Sequence, residues 1–220
     1  MEQKTIITIE YQHGSGGEHI GKLLAEKLNI TCFDKEILVE ASREYNIEEK
    51  IIRNFDETFV YEGIYSLVQD IRAAKTGMGE YNQSPAEQVY LAEFNAIRNL
   101  AKNQSGVFIG RCSDYVLREY ANAVHFFIHA PIDVRVERIC RHENLERSDA
   151  EIIVRKRDRE REKYYNFHTD LKWGDARNYN LSIDTGRIKS DEAVSLLEQY
   201  VKSMGKVVWG NKGDSELSGG

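Results

Sequence analysis

Residues 14 to 21 read Gly-Ser-Gly-Gly-Glu-His-Ile-Gly and closely follow the apolar run Thr5, Ile6, Ile7, Thr8 and Ile9. A buried strand that runs into a glycine-rich turn and then a helix is a common way to hold phosphate. Glycines let backbone N–H groups crowd around an anion, and the helix start adds the positive end of its dipole. Gly14, Ser15, Gly16 and Gly17 are therefore the candidate phosphate cradle, and phosphoryl chemistry is the first chemistry to test against the rest of the chain.

Two known loop patterns can be laid on this turn. The dinucleotide fingerprint needs glycine at its first, third and sixth positions. Gly14 and Gly16 fit, but His19 stands at the sixth, and Asp34 follows Gly16 at the wrong spacing for the ribose-binding acid. The phosphate-loop pattern is glycine, four residues, then Gly-Lys-Ser/Thr. With Gly16 as its second glycine, Tyr11 falls at the first, Gly17 stands where the lysine belongs, and Glu18 and His19 stand where a magnesium-binding hydroxyl would be. A carboxylate about 4 Å from a phosphate at a surface-like dielectric costs on the order of 4 kcal/mol, so Glu18 must point away if a phosphate binds here. The bland alternative is a turn used only for tight strand–helix packing.

Three other groups could carry chemistry. Asp34, in Cys32-Phe33-Asp34-Lys35, follows an apolar run and would lie at the carboxyl edge of a sheet, where open α/β folds bind ligands. It is also a good N-cap for the helical run after it. Arg111 and Asp114, in Gly110-Arg111-Cys112-Ser113-Asp114, follow the apolar run at 106–109. Arginine can grip a phosphate through two parallel hydrogen bonds, and Asp114 can accept from an amine or hydroxyl or cap a helix. The run from Arg155 to Lys163 holds Arg157, Asp158 and Arg161. It reads either as a solvated helix face laced with i,i+4 pairs or as a lid whose arginines close over transferring phosphates. Arg157 and Arg161 are four apart and share a helix face. Tyr164, Tyr165 and Phe167 could stack on a base or anchor such a lid. His125 and His129 share a strand face but sit among Phe126, Phe127 and Ile128, as ordinary strand residues do.

The elements that would position these groups alternate. Apolar runs at 5–9, 30–33, 106–109, 123–130 and 179–183 are separated by amphipathic stretches. Ile20, Leu23, Leu24 and Leu28 fall on one helical face, and so do Ala193, Leu196, Leu197, Tyr200 and Val201. Strands separated by helices predict a parallel α/β sheet covered on both faces, with Pro131 in the first turn of the helix after the fourth strand. Residues 34–106 show helical patterns with breaks near Asn46, Glu62 and Gly63, and 76–85, and predict a helical lobe inserted between the second and third strands.

Composition narrows the function classes. The chain has 220 residues, 41% of them hydrophobic and 30% charged, with net charge −6. A general nucleic-acid binder would be basic. No apolar run is long enough for a membrane span, and the N-terminus carries no signal-peptide pattern. Three irregularly spaced cysteines, Cys32, Cys112 and Cys140, read as free thiols of a reducing cytoplasm. The glycine-rich tail at 210–220 reads as disordered.

Taken together, Gly14-Ser15-Gly16-Gly17 with Ile20-Gly21, Phe33-Asp34-Lys35, Gly110-Arg111-Cys112-Ser113-Asp114-Tyr115, Asp158-x-x-Arg161-x-x-Tyr164-Tyr165, and Lys172-Trp173-Gly174-Asp175 before Asn178-Tyr179 resemble one family. The chain resembles the cytidylate kinase-like proteins, a branch of the P-loop nucleoside monophosphate kinases, over residues 4–203. The resemblance implies a P-loop NTPase-like α/β fold with a parallel five-stranded sheet in the order 2-3-1-4-5 and helices on both faces. It implies one domain over 1–209, with a helical acceptor-binding lobe at 35–104 and a lid region at 147–176. The implied reaction is ATP + (d)CMP giving ADP + (d)CDP, with ATP as co-substrate and magnesium as cofactor, its protein ligands unknown. Gly14, Ser15, Gly16 and Gly17 would cradle the donor phosphates. Asp34, Arg111 and Asp114 would lie at the acceptor, and Arg157, Asp158 and Arg161 would act from the lid. Members of this branch usually lack the loop lysine but often carry arginine where Tyr11 and Glu18 stand.

Three functions follow as expectations. The first is an active kinase in which lid arginines and magnesium replace the loop lysine. The second is a nucleotide-binding regulatory protein without turnover, the reading that the substitutions at Gly17, Glu18 and His19 favour. The third is a kinase of another small acceptor. Nucleotides are the expected partners, with no nucleic acid and no membrane, and the oligomeric state stays open, a homo-oligomer included.

Overall fold

The computed structural model describes residues 4–45 and 85–204. The predicted breaks at Asn46, Glu62 and Gly63, and most of the stretch at 76–85, lie outside the described residues, as do most of the inserted lobe and the tail.

Five strands form one sheet: β1 (Ile6–Tyr11), β2 (Thr31–Phe33), β3 (Gly106–Ile109), β4 (Ala123–His129) and β5 (Leu181–Asp184). Their order is β2-β3-β1-β4-β5, and every pair is parallel. Each strand lies within two residues of its apolar run, because strands buried on both faces read as continuous hydrophobic stretches. The helices are α1 (Gly17–Leu28), α2 (Lys35–Tyr45), α3 (Pro85–Asn103), α4 (Ser113–Val116), α5 (Ile132–Glu143), α6 (Arg147–Thr169) and α7 (Ser190–Met204). Pro131 is the N-cap of α5, one position before the predicted first turn.

Side chains alternate across β1 and divide its contacts between two layers. Ile7 and Ile9 pack with Ile20 and Leu24 of α1 and with Ala193 and Leu197 of α7. Ile6 packs on the opposite face with Ile37 and Leu38 of α2 and with Ala92, Ala96 and Ile97 of α3. Burial of these side chains on both faces drives the sheet together at roughly 1.5–3 kcal/mol for each fully buried aliphatic side chain.

Helix α6 is anchored twice. Its first half presents Ala150 and Val154 to Val136 and Ile139 of α5. Its second half inserts Tyr164 and Tyr165 among Cys112, Phe127, Trp173 and Tyr179. The strand ends of β1 and β3, the start of α1 and the middle of α6 thus converge at the carboxyl edge of the sheet.

Candidate nucleotide-binding site

The loop after β1 is held open by glycine geometry. Gly14 and Gly16 have φ of 77° and 88°, in the left-handed region that disfavours side chains. Gly16 is the N-cap of α1 and has open space where a β-carbon would stand. The first amide of α1 to find a carbonyl within the helix is that of Ile20, which donates to Gly16 O at 2.9 Å. The amides of Gly17, Glu18 and His19 precede that bond and belong to the helix start, where anions bind. The Ser15 amide is spent inside the turn, donating to Gln12 O at 3.0 Å. Its hydroxyl is buried and has no hydrogen-bond partner among the described residues.

A cavity of about 720 Å³ opens on this helix start. Its lining includes Tyr11, Gly17, Lys22, Arg138, Arg157 and Arg161. Glu18 also borders it, but the Glu18 carboxylate is turned along the helix to Lys22, at 2.5 Å. The Lys22 hydrogen bond holds the Glu18 carboxyl below its usual range. Burial lowers the His13 imidazole, and the positive charge of Arg161 lowers it further. The lining carries Lys22, Arg138, Arg157 and Arg161 against the carboxylates of Glu18 and Glu143, so the cavity has an excess of positive charge at a helix N-terminus, suited to a polyphosphate.

Arg161 reaches the loop from α6. Its guanidinium carbon lies 4.1 Å from the centre of the Tyr11 ring. One Nη donates to Tyr11 O at 3.1 Å and the other to the Tyr11 hydroxyl at 2.8 Å. Asp158, one turn earlier, accepts the His13 amide at 2.8 Å and pairs with Arg135 at 2.5 Å. Arg135 also donates to His13 O at 3.1 Å and Ala130 O at 2.9 Å. Arg138 donates to Ser15 O at 3.0 Å and to Thr185 O at 2.7 Å, tying the loop to the end of β5. Arg157 is half exposed and approaches Glu160 at 3.7 Å.

The residues assigned to the acceptor separate into two groups. Arg111 is buried in a left-handed backbone turn (φ 57°) after β3. It donates to Asp34 at 3.1 Å and to Ile109 O at 3.1 Å, with Glu93 of α3 at 4.0 Å. Asp34 therefore engages Arg111 across the ends of β2 and β3. Asp114, only 3% exposed, instead accepts the Tyr165 hydroxyl at 2.6 Å. Burial pushes its carboxyl up to about 6 against the opposing pull of that hydrogen bond. Tyr164 donates to Glu93 at 2.9 Å. Tyr164 and Tyr165 are thus anchors of α6, whereas Phe167 is exposed.

Several site residues carried little signal. Arg135 and Arg138 lie three apart on a helix that reads as amphipathic, and each has among its partners a loop carbonyl more than a hundred residues away. Glu93 had a signal: it falls on the apolar stripe of α3 with Val89, Ala92, Ala96 and Ile97, where an acid needs a partner. His125 lies against Thr8, at 2.8 Å, as a strand residue.

Comparison with known proteins agrees with this architecture. The family model described as cytidylate kinase-like matches residues 6–187. A cytidylate kinase of Methanothrix thermoacetophila is 30% identical over 127 residues, 58% of this chain and 72% of that one. A crystal structure of an uncharacterized protein from Eubacterium ventriosum aligns over 91% of this chain and 99% of that one, with 26% identity and a TM-score of 0.66. A shikimate kinase of Acinetobacter baumannii, solved with shikimate, covers 92% of this chain and 95% of its own at 15% identity and a TM-score of 0.51, a likeness of fold. The fold is that of the P-loop kinases.

Proposed function

We propose that this chain, which belongs to the cytidylate kinase-like family, transfers the γ-phosphoryl group of ATP to a nucleoside monophosphate, CMP or dCMP, releasing ADP and the diphosphate. One observation carries the reading. The cationic cavity faces a glycine-turned helix start, and Arg161 is held at its mouth although the loop lysine is missing. Phosphoryl transfer depends mostly on positioning and charge neutralisation, so a cation from α6 can serve where the loop offers none.

In this reading Gly14, Ser15, Gly16 and Gly17 shape the donor cradle. The amides at the start of α1 bind its phosphates. Arg157 and Arg161 face the transferring group from the lid helix. Asp158 holds α6 to the loop through the His13 amide and Arg135. Asp34, Arg111 and Asp114 serve the acceptor, with Glu93 of α3 close to Arg111. Among the described residues no group of three or more His, Cys, Asp or Glu could hold a metal ion. Magnesium would be held largely by the phosphates of ATP and by water. No described helix is long and apolar enough to cross a membrane. The three cysteines are free thiols, which suits a reducing cytoplasm where nucleotides are supplied.

A second reading, a kinase of another small acceptor, is favoured by the Arg111 contacts. Its guanidinium already faces Asp34 and Glu93. A phosphate dianion must compete with two carboxylates there, whereas a hydroxylated acceptor could donate to them. Coupled ADP-release assays across CMP, dCMP, UMP, AMP and small alcohols separate the two. Turnover with CMP or dCMP supports the first reading, and turnover with a small alcohol alone replaces it with the second. ATP binding without turnover on any acceptor favours a nucleotide-binding regulator.

A further inference from the structure

We propose that Tyr11 is a positioning residue of the donor site: its side chain takes the space of a lysine stem from position 17 and seats the Arg161 guanidinium at the mouth of the loop. This rests on reading the cavity as the donor-phosphate site.

The phosphate-loop pattern pairs a glycine at its first position with a lysine at its seventh. Here the pair is exchanged, with Tyr11 at the first and Gly17 at the seventh. The structure supplies the reason. A β-carbon on residue 17 would stand 2.3 Å from Tyr11 Cβ and 2.5 Å from its Cγ. Real β-carbons do not approach that closely, and the obstacle is the root of the tyrosine side chain, which cannot swing away. Strand alternation fixes this direction, since Tyr11 follows Ile7 and Ile9 toward the α1 face. Tyr11 and a lysine at 17 are therefore mutually exclusive in this loop.

The excluded cation is replaced from α6. Arg161 lies over the Tyr11 ring and donates to both the phenol oxygen and the backbone carbonyl of the same residue. All three contacts are to neutral groups. They orient the guanidinium, and a planar cation on a ring face is attracted by the ring quadrupole. Asp158, on the same helix face, fixes the next stretch of loop through the His13 amide. The two contacts set the depth of α6 over the loop, so Tyr11 decides where the arginine charge lies relative to the helix start.

The test reads ATP binding by calorimetry without acceptor, in variants whose fold is checked by circular dichroism. Tyr11→Leu is expected to weaken ATP binding about tenfold, and Tyr11→Phe, which keeps the ring, to retain most of it. Because Tyr11 acts through Arg161, Tyr11→Leu combined with Arg161→Ala is expected to bind no more weakly than Arg161→Ala alone. Gly17→Lys is expected to weaken binding while Tyr11 is present. In the Arg161→Ala background, Tyr11→Gly with Gly17→Lys is expected to restore binding to within about threefold of wild type. Additive losses in the Tyr11/Arg161 cycle, or Gly17→Lys binding ATP as well as wild type, would overturn the proposal. A non-additive cycle in a protein with no turnover would sink the kinase reading and leave the role of Tyr11 standing. Turnover with an additive cycle would do the reverse.

Discussion

Asp158, in the middle of α6, accepts the backbone amide of His13 at 2.8 Å while its second oxygen pairs with Arg135. A charged side chain on α6 therefore serves the loop backbone. Arg135 closes the same ring by donating to the His13 carbonyl, so the peptide units on both sides of His13 are fixed by one ion pair.

Asp158→Ala should destabilise the protein by about 3 kcal/mol, the scale for leaving one member of a largely buried pair uncompensated. It should also abolish ATP-dependent thermal stabilisation, because the loop amide loses its acceptor. Denaturant unfolding and thermal shift with ATP measure the two effects. A variant that keeps the ligand shift would show that the loop holds its shape without α6.

Gly16→Val tests the cradle. The φ of 88° there strains any β-branched residue by about 1–2 kcal/mol, and its side chain would enter the open space above the helix start. Loss of nucleotide-dependent stabilisation in a folded variant is the expected result, and unchanged stabilisation would remove the turn from the binding site.

Arg161→Ala should lower kcat at least roughly 10²-fold, the scale for removing one preorganised electrostatic donor. Arg157→Ala should lower it too, from a more exposed position. Both are compared with wild type at saturating ATP. If both keep the wild-type kcat, the transferring phosphoryl group draws its positive charge from elsewhere, with Lys35 the next residue to test.

Arg111→Ala should raise the acceptor KM by about 1.5–3 kcal/mol equivalent while leaving ATP affinity nearly unchanged. Steady-state kinetics with each substrate varied in turn gives the split. Equal losses for both substrates would place Arg111 outside the acceptor site.

Asp114 gives a pH signature. Its carboxyl is raised in the fold, from 3.8 to about 6, so the folded state binds the proton more tightly than the unfolded chain does. Its stabilising contribution is complete below about pH 4 and is lost as pH rises through about 6. Asp114→Asn keeps an acceptor for the Tyr165 hydroxyl and removes the titration. The variant should gain stability relative to wild type at pH 7 but not at pH 4, as urea unfolding at both values would read. Parallel pH dependence in both proteins would contradict the assignment.

The sheet was legible because its strands are buried on both faces. Ile6, Ile7 and Ile9 have no polar face to blur the pattern. Strand order was legible only through the family resemblance, since periodicity says which residues pair with a neighbour but not with which neighbour. The mixed-charge run from Arg155 to Lys163 left two readings open, a solvated face and a lid. The buried hydroxyl contacts of Tyr164 and Tyr165 show how that helix is moored, and Arg161 and Asp158 show which of its charges face the loop. Arg135 and Arg138 stayed hidden because a backbone carbonyl leaves no mark on composition or spacing. Tyr11 was visible as a misfit to the loop pattern, but its exclusion of a residue-17 side chain is a matter of ångströms between two chain positions, which no pattern of residue types contains.

The 2.3 Å approach between Tyr11 and a β-carbon at position 17 also restricts ancestry. Substitutions arrive one at a time, and a loop holding both tyrosine at 11 and lysine at 17 is sterically closed. Any route between a lysine-bearing loop and this one must remove the lysine before the tyrosine arrives. The obligatory intermediate has neither the loop cation nor the aromatic seat, and must survive on whatever charge α6 already brings.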